Sequence, residues 1–155
     1  MATPPPTLLY IGAHDVDFLV RAGGTLAKYA RRGSRVVSVS LTYGERSESA
    51  RLWRERPEIT FEKVKSVRRQ ESERCAELIG SELRILDWGD GPIVFDRERY
   101  LALAKLIQEV RPQILITHWP NEITNPDHLN TAAAVKLSAA YAAAPGTAYE
   151  NDSEP

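Results

Sequence analysis

The sequence predicts an α/β fold, a Rossmann-like three-layer α/β/α sandwich around a mainly parallel sheet. Short apolar runs alternate along the chain with longer stretches of helical periodicity, and glycine or proline marks most of the boundaries. Size agrees: 155 residues, 43% hydrophobic and 26% charged, suit one domain with a real core and leave no room for two.

Leu8 to Gly12, an apolar run behind a proline-rich lead, reads as the first strand, and Arg35 to Thr42, rich in Val and Ser, as the second. Between them Asp17 to Arg32 reads as a helix, with Leu19, Ala22, Leu26, Tyr29 and Ala30 near helical spacing and Gly33 as a terminator. A longer helix is expected from Phe61 to Ile79, stopped by Gly80, with Val64, Val67, Cys75 and Leu78 on its apolar side. Leu83 to Asp87 is the third predicted strand. Arg97 to Val110 follows as a helix that Arg111-Pro112 ends, because proline cannot continue it. Gln113 to Thr117 is the fourth strand, and the Ala-rich stretch Leu129 to Ala144, ending at Pro145-Gly146, is the last helix. One domain over residues 8–146 is expected, with a mobile lead at 1–7 and a mobile tail at 147–155.

Composition excludes several function classes. A formal net charge of −1, with both signs interspersed, provides no basic stripe for a nucleic acid. Met-Ala-Thr-Pro-Pro-Pro has neither a charged leader nor an apolar span, so a cytoplasmic location and no membrane partner are expected. The single cysteine, Cys75, permits no internal disulfide and no cysteine-cluster metal site, and reads as a small buried helix residue. A small molecule is the expected partner; assembly into a homo-oligomer is left open.

In a parallel sheet ligands bind at the carboxyl ends of the strands. Three polar clusters stand there: residues 13–17 after the first strand, 43–49 after the second and 118–128 after the fourth, and they contain all three histidines. His14 and Asp17, three apart at a strand-to-helix turn, can converge on one point, and His128 at the start of the last helix can supply a third ligand. Two imidazoles, one carboxylate and an open position make a catalytic zinc set. The same residues also suit plain structural roles: His14 as a cap, Asp17 as a carboxylate favoured at a helix N-terminus, His128 on the surface. Asp127 reads as a cap or as a group orienting a ligating histidine.

Taken together, His14-x-x-Asp17, Gly23-Gly24, Arg69 and Glu71 in the long helix, and Pro126-Asp127-His128 resemble the PIG-L/LmbE family of zinc-dependent N-acetylglucosaminyl deacetylases, from Leu8 to about Ala144. In that family the first motif is His-Pro-Asp-Asp-Glu, its first histidine and second aspartate binding zinc and its first aspartate acting as general base. Here the base position is Val16, which accepts no proton, and Asp15 fills the proline position. More narrowly, Ala13-His14-x-x-Asp17-Phe18, Arg21-Ala22-Gly23-Gly24, the stretch from Tyr43 to Ala50 with Leu52-Trp53-Arg54, and Asn125-x-Asp127-His128 resemble the 4-oxalomesaconate (4-carboxy-2-hydroxymuconate) hydratase branch.

That resemblance implies a zinc-dependent hydro-lyase adding water to an unsaturated polycarboxylate in aromatic-acid catabolism. The alternatives are a zinc-dependent N-deacetylase of an acetylated amino sugar and a metal-binding module without activity. It implies Zn²⁺ on His14, Asp17 and His128, though such ligands discriminate weakly against iron or manganese. Arg21, Arg46, Arg54 and Asn125 are expected to bind the carboxylate substrate, with Arg51 a further cation. Glu48 is expected to move the proton, with Glu45 and His118 next in line; Asp15 and Asp127 are expected behind the metal ligands; Trp53 and Trp119 can wall the pocket or simply pack. Family members run substantially longer, so the chain is expected to be incomplete at its C-terminal end.

Overall fold

The structure, a computed structural model, describes residues 4–144 and 146. Nine elements follow in order: β1 (Leu8–Gly12), α1 (Asp17–Ala30), β2 (Val36–Ser40), α2 (Ala50–Glu55), α3 (Phe61–Ile79), β3 (Glu82–Ile85), α4 (Arg97–Val110), β4 (Ile114–Ile116) and α5 (Pro126–Ala143). The expected mobile segments 1–3 and 147–155, and Pro145, lie outside the described residues. Within the lead, Thr7 is tied down: its N–H donates to Gln113 Oε1 at 2.7 Å and its carbonyl accepts from Gln113 N–H at 3.0 Å.

The four strands form one parallel sheet in the order β3-β2-β1-β4, with Leu8 level with both Val36 and Ile114. Side chains alternate across the pleat, so each strand feeds two cores. On one face Leu9, Ile11, Val37 and Val39 pack with Leu103, Leu106 and Val110 of α4 and Ala134 and Val135 of α5. On the other, Leu8, Tyr10 and Val36 pack with Phe18 and Leu26 of α1 and Ala76 and Ile79 of α3. Both faces are covered, as the run of apolar strand residues requires. Each fully buried Leu or Ile contributes about 1.5–3 kcal/mol relative to exposure. The chain moves outward from β1 through β2 to β3 and then returns to lay β4 on the far side of β1. Strand order therefore reverses between β1 and β4, which locates the crevice.

Two departures from the sequence reading matter for the site. The last helix begins at Pro126, three residues before Leu129, because Asn125 Oδ1 accepts from the N–H groups of Asp127 (3.0 Å) and His128 (3.3 Å) and Pro126 at the first helical position needs no partner. Asp127 and His128 thus sit in a rigid first turn rather than ahead of the helix. The short α2 has no counterpart in the sequence reading, since six residues hold too few turns to show a period. Tertiary contacts hold it: Trp53 Nε1 donates to Glu45 O at 2.7 Å, and the Trp53 ring meets Phe61 edge-on at 4.9 Å. No helix of the described residues is long and apolar enough to cross a membrane.

Candidate metal centre

The loop after β1 turns sharply into α1 through Val16, whose φ of 69° is left-handed. That conformation is unusual for a β-branched residue and costs on the order of 1–2 kcal/mol. The turn brings the Asp17 carboxylate back under the loop, where Asp17 Oδ2 accepts from His14 N–H at 2.8 Å. Gly12 makes room for this: a Cβ there would stand 2.7 Å from Tyr10 Cε1 and 3.1 Å from Asp17 Cβ.

His14 Nδ1, His128 Nε2 and Asp17 Oδ2 form a buried triangle with sides of 3.2, 3.4 and 3.5 Å. A tetrahedral metal with bonds of 2.0–2.1 Å would space its donors about 3.3 Å apart. Three lone-pair atoms converge here with His14 0%, His128 2% and Asp17 8% exposed, and this is the group among the described residues able to hold a metal ion. Burial alone would raise the Asp17 pKa, but the imidazoles of His118, His128 and His14 around it hold the carboxylate far below the usual range. Burial works against a charge on His14 too, yet Asp17, Glu48 and Asp127 nearby leave its pKa raised. The pocket attracts positive charge, which a cation satisfies.

The far side of His14 is also held. Its Nε2 lies 3.4 Å from Asp127 Oδ2 and 3.3 Å from Ser47 Oγ, an arrangement that assigns the proton to Nε2 and leaves Nδ1 free for the triangle. Asp127 is fixed in turn by the N–H groups of Ile93 (2.8 Å) and Gly91 (3.1 Å). Ser47 donates to Asp90 Oδ2 at 2.6 Å, and Asp90 also accepts from the N–H groups of Arg46 and Ser47. Burial would raise the Asp90 pKa, but these donors keep it lowered. The sequence reading missed Asp90 and Ser47. Asp90 stands after β3 in Gly89-Asp90-Gly91-Pro92, so the strand-end rule applied to the third strand would have found it.

The other expected site residues are distributed unevenly. Glu48 stands at the triangle, its Oε1 3.9 Å from His14 Nδ1 and receiving a hydrogen bond from Asn125 Nδ2 at 3.3 Å. Asn125 thus links the α5 N-terminus to Glu48, with its Oδ1 already used as the helix cap. Gly44, at φ 63°, lets the Glu48 loop close against His14, since a Cβ would stand 2.8 Å from Glu48 Cβ and 3.3 Å from His14 Cβ. Glu45 is turned away: its Oε1 faces the Asp90 N–H at 3.4 Å, and burial raises its pKa. His118 Nε2 accepts from Ala13 N–H at 2.9 Å and lies 3.4 Å from Asp17 Oδ2, its ring stacks on His128 at 3.9 Å, and burial lowers its pKa, so it walls the site beside Asp17. The Asp15 side chain leaves the triangle for α3, where burial pushes it up to about 7 against the pull of Ser72 and Arg68, and neither oxygen makes a hydrogen bond of ordinary geometry.

A cleft of about 470 Å³ opens beside the triangle, lined by Val16, Asp17, Arg21, Glu48, Arg68 and His128 among others. A neighbouring cleft of about 420 Å³ shares Glu48 and Arg68 and adds Arg51 and Arg56. Of the expected substrate cations, Arg21 lines the first cleft. Arg46 is instead drawn over the Phe61 ring at 4.5 Å, and Arg54 lines neither cleft. Trp119 is 65% exposed and Trp53 is spent on packing α2, so neither walls the pocket. Cys75 is half-buried against the α1–α3 core and lines the first cleft.

A family model described as PIG-L, GlcNAc-PI de-N-acetylase, matches residues 9–139. A 4-oxalmesaconate hydratase of Pseudomonas putida is 39% identical over 128 residues, covering 83% of this chain and 49% of its own length. A probable N-acetyl-α-D-glucosaminyl L-malate deacetylase 2 of Bacillus anthracis is 28% identical over 131 residues, 83% of this chain and 57% of its own. Among solved structures, the 4-carboxy-2-hydroxymuconate hydratase of Pseudomonas putida superposes with a TM-score of 0.89 at 35% identity, over 92% of this chain and 59% of that one. The N,N'-diacetylchitobiose deacetylase of Pyrococcus horikoshii shares the fold with a TM-score of 0.83 at 24% identity, over 94% and 53%. The chain spans about half the length of the curated relatives it matches.

Proposed function

Because this chain belongs to the PIG-L family, we propose that it carries the metal-binding part of a zinc-dependent hydro-lyase that adds water to an unsaturated polycarboxylate of the 4-oxalomesaconate type. One contrast carries the preference for hydration over deacetylation. Val16, at the motif position where the family's deacetylases have their base, presents a hydrocarbon side chain to the cleft, while Glu48 presents a carboxylate to the same cleft beside the triangle.

His14, Asp17 and His128 hold the zinc, which when bound supplies a Lewis acid for a substrate oxygen. Asp127 and Ser47, backed by Asp90, keep the His14 ring turned toward it. Glu48 takes a proton from the attacking water as the hydroxyl joins one alkene carbon and returns that proton to the neighbouring carbon, so Glu48 ends as it began and the net change is one water added. Asn125 keeps Glu48 on station. Arg21 and Arg56, which line the clefts and have no acidic partner among the described residues, receive the substrate carboxylates in place of Arg46 and Arg54.

The test is direct. Zinc-loaded protein is expected to consume 4-oxalomesaconate with formation of the hydrated product and to release no acetate from N-acetylglucosamine conjugates. Acetate release without hydration would reverse the assignment in favour of the deacetylase.

A further inference from the structure

We propose that Arg68 is a positioning residue that holds two loops of the site in register by clamping the carbonyls that precede their left-handed residues. Rotation about φ of a residue turns the peptide plane on its N-terminal side, so fixing the carbonyl of that plane fixes φ. Arg68 Nη2 donates to Asp15 O at 3.2 Å, the carbonyl ahead of Val16 (φ 69°). Arg68 Nε donates to Tyr43 O at 3.3 Å, the carbonyl ahead of Gly44 (φ 63°). The remaining arm, Nη1, donates to Glu71 Oε2 at 2.7 Å, and the Arg68 side chain is only 15% exposed. One rigid planar group, aimed by its neighbour on α3, thus spans the β1–α1 loop bearing His14 and Asp17 and the β2–α2 loop bearing Ser47 and Glu48.

The two loops need the clamp for different reasons. Val16 is strained in the left-handed region and, once released, relaxes toward an ordinary conformation, moving His14 and Asp17 on either side of it. Gly44 has no such strain but no preference either, and its loop has a second hold: Arg69 bonds the Tyr43 hydroxyl, and Lys65 and Arg69 lie over the Tyr43 ring. Loss of Arg68 therefore loosens residues 14–18 more than residues 43–48. A lysine cannot substitute, because one ammonium on a flexible stem does not hold two carbonyls and a carboxylate in three fixed directions.

Hydrogen–deuterium exchange on the chelator-treated 155-residue chain tests the clamp without reference to metal. Arg68→Ala and Arg68→Lys are both expected to exchange on the order of tenfold faster across 14–18, and less so across 43–48, with the strands unchanged. Val16→Gly removes the strain, so adding it should shrink the factor that Arg68→Ala produces at 14–18. Wild-type protection in Arg68→Lys, an equal factor with and without Val16→Gly, or a rise spread over the whole chain would each overturn the proposal. A second arm rests on the metal reading above: zinc competition should show on the order of 10–100-fold weaker binding in both Arg68 variants, the usual cost of losing a group that orients ligands. Failure of the wild type to take up zinc would sink the metal reading while leaving the exchange result to decide the clamp; equal zinc affinity in wild type and variants would sink the clamp alone.

Discussion

The two rims of the sheet treat charge in opposite ways. At the amino rim, Arg35 and Glu82 meet in a two-pronged pair at 2.8 and 3.0 Å, each side chain roughly half exposed to water. At the carboxyl rim His14, Asp17, His118, Asp127, His128, Glu45 and Asp90 are all buried, with no Lys or Arg among the described residues ion-paired to any of them. The same strands and the same apolar middle support both. Water makes the first arrangement inexpensive and nearly irrelevant to stability, whereas the second costs desolvation that dense hydrogen bonding offsets and that a cation held by the triangle would offset further. A concentration of buried, partly unsatisfied polar groups on one rim thus distinguishes the working end of the molecule from its inert end.

That contrast can be broken most severely at the triangle. His14→Ala, Asp17→Ala and His128→Ala should each lower zinc affinity by on the order of a thousandfold, since one of three protein ligands carries a large part of the binding energy. Metal analysis after dialysis checks this, and stoichiometric zinc in all three variants would remove the site.

Next in size, Glu48→Gln keeps nearly the same volume and should keep the metal while lowering kcat for hydration by roughly 10²- to 10⁴-fold. Rate and zinc content must come from one sample. A metal-replete variant with normal kcat would show that Glu48 does not move the proton.

Between the rims, Leu9→Ala should cost about 2–5 kcal/mol by chemical denaturation, because Leu9 is fully buried between the sheet and α4–α5 and little can collapse into the space. A loss well under 1 kcal/mol would mean that this core is loosely packed. Ser47→Ala removes the hydroxyl between Asp90 and His14 Nε2 and should cost about 1 kcal/mol, with weaker zinc binding as its distinguishing mark.

The smallest effect belongs to the amino rim, and there pH sharpens the comparison. Arg35 lowers the pKa of Glu82 below its ordinary 4.5. The unfolded chain then takes up the proton first, so the pair's contribution is complete above about pH 4.5 and is lost as pH falls through the lower folded value. Arg35→Ala should leave the melting temperature within error of wild type at neutral pH, and any small difference should vanish in acid. A difference that instead grows in acid would overturn this account of the rim.

What was legible in the chain follows the range of the forces involved. The bounds of β1, α3 and α4 could be read residue by residue, because apolar spacing inside the segment and Gly80 or Arg111-Pro112 at its end act locally. The start of α5 was not, because the apolar pattern begins at Leu129 while a side-chain cap from Asn125 starts the helix earlier. His14 and Asp17 could be seen as a pair from their separation along one turn, and His128 as a third ligand from its place at the start of the last helix, which the motif resemblance then reinforced.

The sequence by itself determined the fold class, the two-sided core and the strand ends where polar residues gather, since periodicity and end signals are local properties of the chain. Only the tertiary structure decided which of those polar residues meet. It placed Glu48 at the triangle and turned Glu45 away, drew Arg46 onto Phe61, brought Asp90 and Ser47 behind His14, and set Arg68 across two loops. The physical reason is that a side chain's partner is set by which loops the strand order brings side by side and by left-handed turns at Val16 and Gly44, and contacts between residues dozens of positions apart leave no periodic trace along the chain.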